Sequence, residues 1–435
     1  MTDLDAAERL KTTPSTGTRL PGVEGLRAIA ATSIVVVHVW GSSMSDGEVL
    51  WSSHSIANAI STLSVGLTLF FTLSGFLLYR PFAAAIARRT PRQSFPAYFQ
   101  NRALRIAPAY WVILAVTAIV LGAASVRTAS GALEVGRISD PLDFVQTALL
   151  LQDYRPETMI MGIGPAWSLA VELVFYLALP LLVLMALWLA RRAVDHRGLV
   201  MALLAPAALL LVIGLTGKAV AAQVLPADAL AGYNTDWHSV VERSFWAQAD
   251  LFAFGMAAAV FHVEMSYGRL TLPARWRMIT VLVALVVFVP SAWTMRLGEH
   301  SYLLQNTGEA FALALVLAAI VVPGSAAARP AWALRVLESR PFVAVGAVSY
   351  SLFLWHYPVI LWLREHGLTA GGPAGLALNL VLVAIVAGGL SALTYRYVER
   401  PALRHKRRGR RAVMSGDSPV TIASAELRAL AGAAD

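Results

Sequence analysis

Residues 167–190 read WSLAVELVFYLALPLLVLMALWLA, and after Glu172 no charged side chain interrupts the stretch. At a helical rise of about 1.5 Å per residue, the 18 residues from Leu173 to Ala190 cover most of the roughly 30 Å hydrocarbon core of a bilayer. The pattern recurs outward in both directions. Residues 28–45, 49–79, 106–126, 198–217, 278–295, 310–328, 341–363 and 366–395 contain no Asp, Glu, Lys or Arg, and 244–263 is broken only by Asp250. These runs predict an all-α polytopic membrane protein of about ten transmembrane helices. The composition agrees: 57% of the 435 residues are apolar and 14% are charged, where a soluble domain carries about a quarter. A disordered chain, a coiled coil and an ordinary soluble enzyme are excluded. Segment 143–152 is too short and too polar to span and is expected to be interfacial or re-entrant. The chain has no cysteine, so disulfides, thiolate metal sites and cysteine nucleophiles are excluded.

The formal charge is +9. In a soluble protein that excess would point to nucleic acid; here it follows topology. Of the 35 Lys and Arg residues, 28 fall in alternate connections that start with residues 1–27 and end with 396–435. The positive-inside rule then predicts both termini in the cytoplasm, and an eleventh span at 143–152 would break the alternation. Residues 1–20 read as a cytoplasmic N-terminal arm without a cleaved signal peptide. Residues 21–403 read as the transmembrane domain and 404–435 as a basic cytoplasmic tail. Lys406, Arg407, Arg408, Arg410 and Arg411 in that tail suit anionic lipid headgroups, at about 1 kcal/mol per charge near the surface. No nucleic-acid partner is expected.

An ionisable side chain within a span is costly and is a functional candidate by default. His38 lies about 16 Å along a helix from Arg27 and is either a general base or a satisfied core histidine. Arg102 and Arg105 share a helix face at i and i+3. They either grip phosphates bidentately or mark the cytoplasmic boundary. Glu172 either orients a histidine, pairs with an arginine, or is an interfacial acid. Asp250 suits a salt bridge or interhelical hydrogen bond better than chemistry. For His356 a structural role is the more natural reading. Residues 218–243 form an expected outer loop with Tyr233, Asn234, Asp236, Trp237 and His238. That set suits a sugar surface, and equally an aromatic belt. No GxSxG elbow, P-loop or metal-ligand pattern occurs.

Taken in order, these segments resemble the acyltransferase 3 family of membrane-bound O-acyltransferases. The resemblance runs from about residue 20 to 404. It rests on Gly25-Leu26-Arg27-Ala28 leading to His38, on Phe70-Phe71-Thr72-Leu73-Ser74-Gly75-Phe76-Leu77, and on Arg102-x-x-Arg105 followed by Pro108 and Tyr110-Trp111. Then come Trp167-Ser168-Leu169 with Glu172, Phe175-Tyr176 and Pro180, Phe254-Gly255-Met256, Ser349-Tyr350-Ser351 with Trp355-His356, and Tyr395-x-Tyr397-Val398-Glu399-Arg400-Pro401. Glu24 stands where Asp is common, and Ala170 and Leu173 replace a usual Ser and a second Glu. No SGNH-type esterase-like domain is expected in the sequence.

The resemblance implies transfer of an acyl group, usually acetyl, from cytoplasmic acyl-CoA to a hydroxyl of a sugar or related acceptor. The acceptor class is a cell-envelope glycan or glycolipid, or a glycosylated metabolite such as a macrolide sugar. The implied location is the plasma membrane. Acetyl-CoA is a donor substrate, and no permanently bound cofactor or metal is expected. His38 is implied as the general base or as an acyl-histidine nucleophile, Glu172 as its orienting carboxylate or an arginine partner, and Arg102 and Arg105 as donor-binding groups. Arg27, Ser74, Tyr110, Trp167, Ser168, Asp250 and His356 are supporting candidates. Ser74, Tyr110, Trp167 and Ser168 are also the candidate donors to a thioester oxyanion. The rival from another class is a proton-coupled secondary transporter built on the buried His, Glu and Asp. A non-catalytic membrane scaffold leaves the arginine pair and His38 unexplained.

Overall fold

A computed structural model describes residues 20–43, 59–128, 132–224, 236–270, 272–293, 302–322 and 331–405. The N-terminal arm up to residue 19, the loop positions Tyr233 and Asn234, and the basic tail from residue 406 lie outside the described residues. The helices in chain order are α1 (Val23–Ser43), α2 (Val65–Arg88), α3 (Phe95–Ala115), α4 (Pro141–Ala148), α5 (Trp167–Ala190), α6 (His196–Val224) and α7 (Trp237–Glu242). They continue with α8 (Phe245–Ser266), α9 (Trp276–Trp293), α10 (Tyr302–Val321), α11 (Ala331–Leu337), α12 (Arg340–Glu365) and α13 (Gly372–Thr394).

Among the described residues nine helices are long and apolar enough to cross a membrane, and the shorter apolar helix Trp276–Ala292 stands at a tenth predicted run. Charge-free runs underestimate these helices. The second span extends to Arg88 and carries Arg80 within it, because a helix continues past the point where its side chains leave the hydrocarbon.

The third span departs from its apolar run the other way. It closes with a π-helical turn over Val116–Leu121, and Gly122 ends it at φ 62°. The apolar residues that follow enter an antiparallel hairpin of β1 (Ala124–Arg127) and β2 (Leu133–Gly136), which hydropathy does not distinguish from helix. Ser125 of β1 also bridges Gly162. Residues 143–152 do not form a span: α4 is a short helix, capped by the Asp140 side chain accepting from the Leu142 N–H. The chain then folds inward, and residues 158–166 are buried.

Close helix packing places the site. A Cβ on Gly75 of α2 would stand 2.2 Å from the Phe252 carbonyl oxygen of α8, and one on Gly255 of α8 would stand 1.9 Å from that of Thr72. The two motif glycines thus let α2 and α8 meet backbone to backbone. Around this seam Phe71, Phe175 and Phe252 interlock, with the last two rings stacked at 4.2 Å. α1 packs along α12 and α6 along α8, completing one continuous core.

Candidate active site

α1, α2, α3, α5 and α12 enclose a cavity of about 110 Å³. Its polar lining is Arg27, Ser74, Arg102, Arg105, Ser168, Glu172, Tyr176 and Tyr350; its apolar lining includes Phe70 and Phe353. Predicted residues from four separate segments of the chain therefore share one space.

The guanidinium groups are not equivalent. Arg105 Nη1 donates to Glu399 Oε2 at 3.0 Å, and the Ser351 hydroxyl donates to the other oxygen of the same carboxylate. Arg27 donates to Ser349 Oγ at 3.1 and 3.3 Å and reaches Glu24 at 4.0 Å. Arg102 lies over the Tyr176 ring, 5.7 Å from its centroid. Among the described residues it has no ion pair, and its Nε is buried without a hydrogen-bond partner. Glu172 accepts from the Ser74 hydroxyl and from Tyr176. Arg102 is thus the cation in the cavity with capacity for a further anion.

His38 lies at a different point of the fold from Glu172. Its Nδ1 is 3.0 Å from the Ile34 carbonyl oxygen and 3.1 Å from His356 Nε2, while His356 Nδ1 is 3.2 Å from the Leu352 carbonyl oxygen. A carbonyl only accepts, so each neutral imidazole carries its proton on Nδ1. The His356 Nε2 lone pair then faces the His38 Nδ1–H, and His38 Nε2 is left as the basic nitrogen. A neutral imidazole, rather than the expected carboxylate, orients the His38 ring. Tyr357 closes one side of it, 5.3 Å away edge-on. Phe353 joins the two regions: it lines the cavity, and its ring lies 6.0 Å from Phe70 and 5.8 Å from His356.

Other candidates are placed apart from the cavity or are already engaged. The Tyr110 hydroxyl donates to the Thr147 carbonyl at 2.6 Å. The Ser168 hydroxyl donates to the Pro165 carbonyl at 3.0 Å. Trp167 packs under Arg243, 5.5 Å from its guanidinium. Asp250 forms a salt bridge with Lys218 at 2.5 Å and accepts from Thr307 at 2.5 Å, deep between α6, α8 and α10. Beneath the inward loop, Asp153 accepts from the Ile160 N–H at 3.0 Å and from Gln152 Nε2 at 2.7 Å. Burial pushes its carboxyl up to about 7, against the opposing pull of the Ile160 N–H and of Arg243.

Sequence reasoning gave no site role to Tyr98, nor to Tyr176, Tyr350 and Glu399, although the last three lie in motifs it singled out. It also missed Lys218, one residue beyond an apolar run, and Glu309, one residue before another. Among the described residues no group of three or more His, Asp or Glu is arranged to hold a metal ion.

Membrane-crossing helices thus enclose a cationic cavity, and Phe353 links it to the His38–His356 pair. The chain belongs to the acyltransferase 3 family: residues 20–396 match the family's acyltransferase domain model. It is therefore a multi-pass membrane O-acyltransferase. It is 27% identical over 422 residues to the acyltransferase MdmB of Streptomyces mycarofaciens, covering 93% of this chain and 96% of that protein. It is 24% identical over 402 residues to nodulation protein 10 of Rhizobium leguminosarum bv. viciae, covering 87% and 92%. Against the O-acetyltransferase OatA of Staphylococcus aureus it is 23% identical over 396 residues, covering 88% of this chain but 57% of that longer protein. No solved structure matches the chain.

Proposed function

We propose that the protein transfers an acetyl group from cytoplasmic acetyl-CoA to a hydroxyl of a sugar-containing acceptor. The acceptor is a glycan or glycolipid of the cell envelope, or a glycosylated metabolite such as a macrolide sugar. The protein resides in the plasma membrane with both termini in the cytoplasm, as the distribution of basic residues supports.

The observation that carries this reading is the pairing of two open valences. Arg102 is a half-buried guanidinium that has no carboxylate partner among the described residues, suited to negative charge on the donor. His38 keeps Nε2 as a free basic nitrogen because both ring contacts fall on Nδ1. In the reaction, His38 Nε2 takes the proton of the acceptor hydroxyl as its oxygen attacks the thioester carbonyl. The tetrahedral intermediate collapses, the C–S bond breaks, and the thiolate recovers the proton from Nε2. Positive charge on His38 during this step is shared with the facing lone pair of His356. General-base catalysis of this kind contributes about 10²–10⁴-fold.

The test is turnover of labelled acetyl-CoA by the purified protein in lipid, coupled to mass spectrometry of envelope glycans with and without the gene. A gain of one acetyl mass on a sugar is expected. Free CoA without any acetylated product would overturn the proposal. An unchanged glycan profile alongside acetylation of a small glycoside would select the metabolite acceptor.

A further inference from the structure

Away from the cavity, the end of α2 and the connection after it, with the end of α5 and the start of α6, line a second, open groove of about 450 Å³. Arg89, Arg92 and Arg191 line it beside Ile86, Leu187 and Leu199. Arg89 ends α2 in the left-handed conformation, φ 53°, and turns the chain so that Arg92 comes back to the same groove. Arg92 stacks on Phe95 at 4.2 Å. Among the described residues none of these arginines forms an ion pair, and no acidic side chain lines the groove. Three unneutralised guanidiniums beside an apolar floor match a phosphorylated ligand with a flat or apolar body.

The groove and the cavity lie along the same helices. α2 gives Leu77 and Leu78 to the cavity and Ile86 and Arg89 to the groove; α5 gives Glu172 and Tyr176 to the cavity and Leu187 and Arg191 to the groove. At helical rise, Leu78 to Ile86 is about 12 Å and Tyr176 to Leu187 about 16 Å. That offset is comparable with an extended pantetheine arm. Along α2 and at the start of α3, Phe82, Phe95 and Tyr98 come between residues of the groove and residues of the cavity, with the Phe82 ring 6.3 Å from Phe95 and 5.8 Å from Tyr98. Tyr98 is 3% exposed, and its hydroxyl has no hydrogen-bond partner. A buried hydroxyl left unmatched on this line costs free energy unless a ligand or water meets it.

We propose that the groove of Arg89, Arg92 and Arg191 seats the phosphates at the nucleotide end of the acyl-CoA donor. The pantetheine arm then runs past Phe82 and Tyr98, and the thioester reaches the cavity beside Arg102. This rests on the acyl-CoA reading above and adds the place where the donor's charge is read. It also gives the two basic regions separate tasks, the groove holding the donor's phosphates and Arg102 facing the negative charge that develops on the thioester oxygen during transfer.

The experiment uses the full-length protein in nanodiscs and the triple variant Arg89→Gln/Arg92→Gln/Arg191→Gln, whose arginines lie at the rim of the fold. The expected result is a rise in KM for acetyl-CoA of about tenfold or more with kcat retained. S-acetylpantetheine, which has no phosphates, should be used equally by both proteins, and 3′,5′-ADP should inhibit only the wild type. An unchanged KM for acetyl-CoA overturns the proposal. If the variant instead loses only a dependence on anionic lipid in the nanodisc, the groove reads lipid phosphate and the donor assignment is wrong. If wild-type protein turns over no acetyl-CoA, the acyl-CoA reading fails, and direct binding of 3′,5′-ADP decides the groove. Binding lost in the variant sustains a phosphate site, and no binding to the wild type overturns it.

Discussion

Two of the places where the membrane domain holds ionic groups away from solvent are built differently. Between α6, α8 and α10, Lys218 and Asp250 meet at 2.5 Å and share Thr307, with side chains 3% and 0% exposed. Around the cavity of α1, α2, α3, α5 and α12, three arginines face an internal space, and Arg102 has neither an ion pair nor a partner for its Nε. The first cluster neutralises itself and neither residue lines the cavity; the second keeps capacity for something that enters. An ionisable side chain in a span is therefore not functional by location alone. Charge balance and adjoining space separate a structural clamp from a binding site.

This contrast breaks most readily at the clamp. Lys218→Met leaves the Asp250 carboxylate buried without its cation, and a loss of about 3–5 kcal/mol is expected. Unfolding in detergent should register that loss, while Lys218→Met/Asp250→Asn recovers much of it and keeps the KM for acetyl-CoA. A large change in KM with unchanged stability would move this cluster into the site.

The same logic divides the arginine pair. Arg105→Gln strands Glu399, which is 2% exposed, so it should lower stability by about 3 kcal/mol, with partial rescue by Glu399→Gln. Arg102→Gln should leave the unfolding midpoint nearly unchanged and lower kcat with acetyl-CoA by about tenfold or more. Arg102→Lys should not restore it, because a point charge lacks the planar fork. Equal stability losses for both variants would erase the distinction.

The smallest effect is expected beneath the inward loop. Asp153 binds its proton more tightly when folded, with its carboxyl raised to about 7. The associated stabilisation is whole below the ordinary carboxylate range and is lost as pH rises toward 7. The unfolding midpoint of the wild type should therefore fall relative to Asp153→Asn between about pH 4 and pH 7. Parallel profiles for the two proteins would contradict the assignment.

Much of this was legible in sequence because long charge-free runs have one physical solution in a bilayer. The motif glycines Gly75 and Gly255 were visible too, although only the fold reveals that they face each other. The hairpin after Gly122 was not, since an apolar strand and the end of an apolar helix have the same composition. His38, Glu172, Arg102 and Arg105 could be picked out as charges or imidazoles within apolar helices. Their partners could not. Helix spacing fixes which residues share a face of one helix, but Glu399 reaches Arg105 from 294 positions away and His356 reaches His38 from 318. Expecting Glu172 to orient His38 followed from the residue types. The fold gives that place to His356 and leaves the carboxylate with Ser74 and Tyr176.

The central claim is that His38 Nε2 moves the proton in acyl transfer. Its most direct test is single-turnover transfer from labelled acetyl-CoA by purified His38→Gln in nanodiscs, compared with wild type at matched folding and matched donor binding. A fall of about 10²–10⁴-fold in the rate of product formation, with donor binding preserved, is predicted. Transfer at the wild-type rate by a folded His38→Gln protein would contradict it.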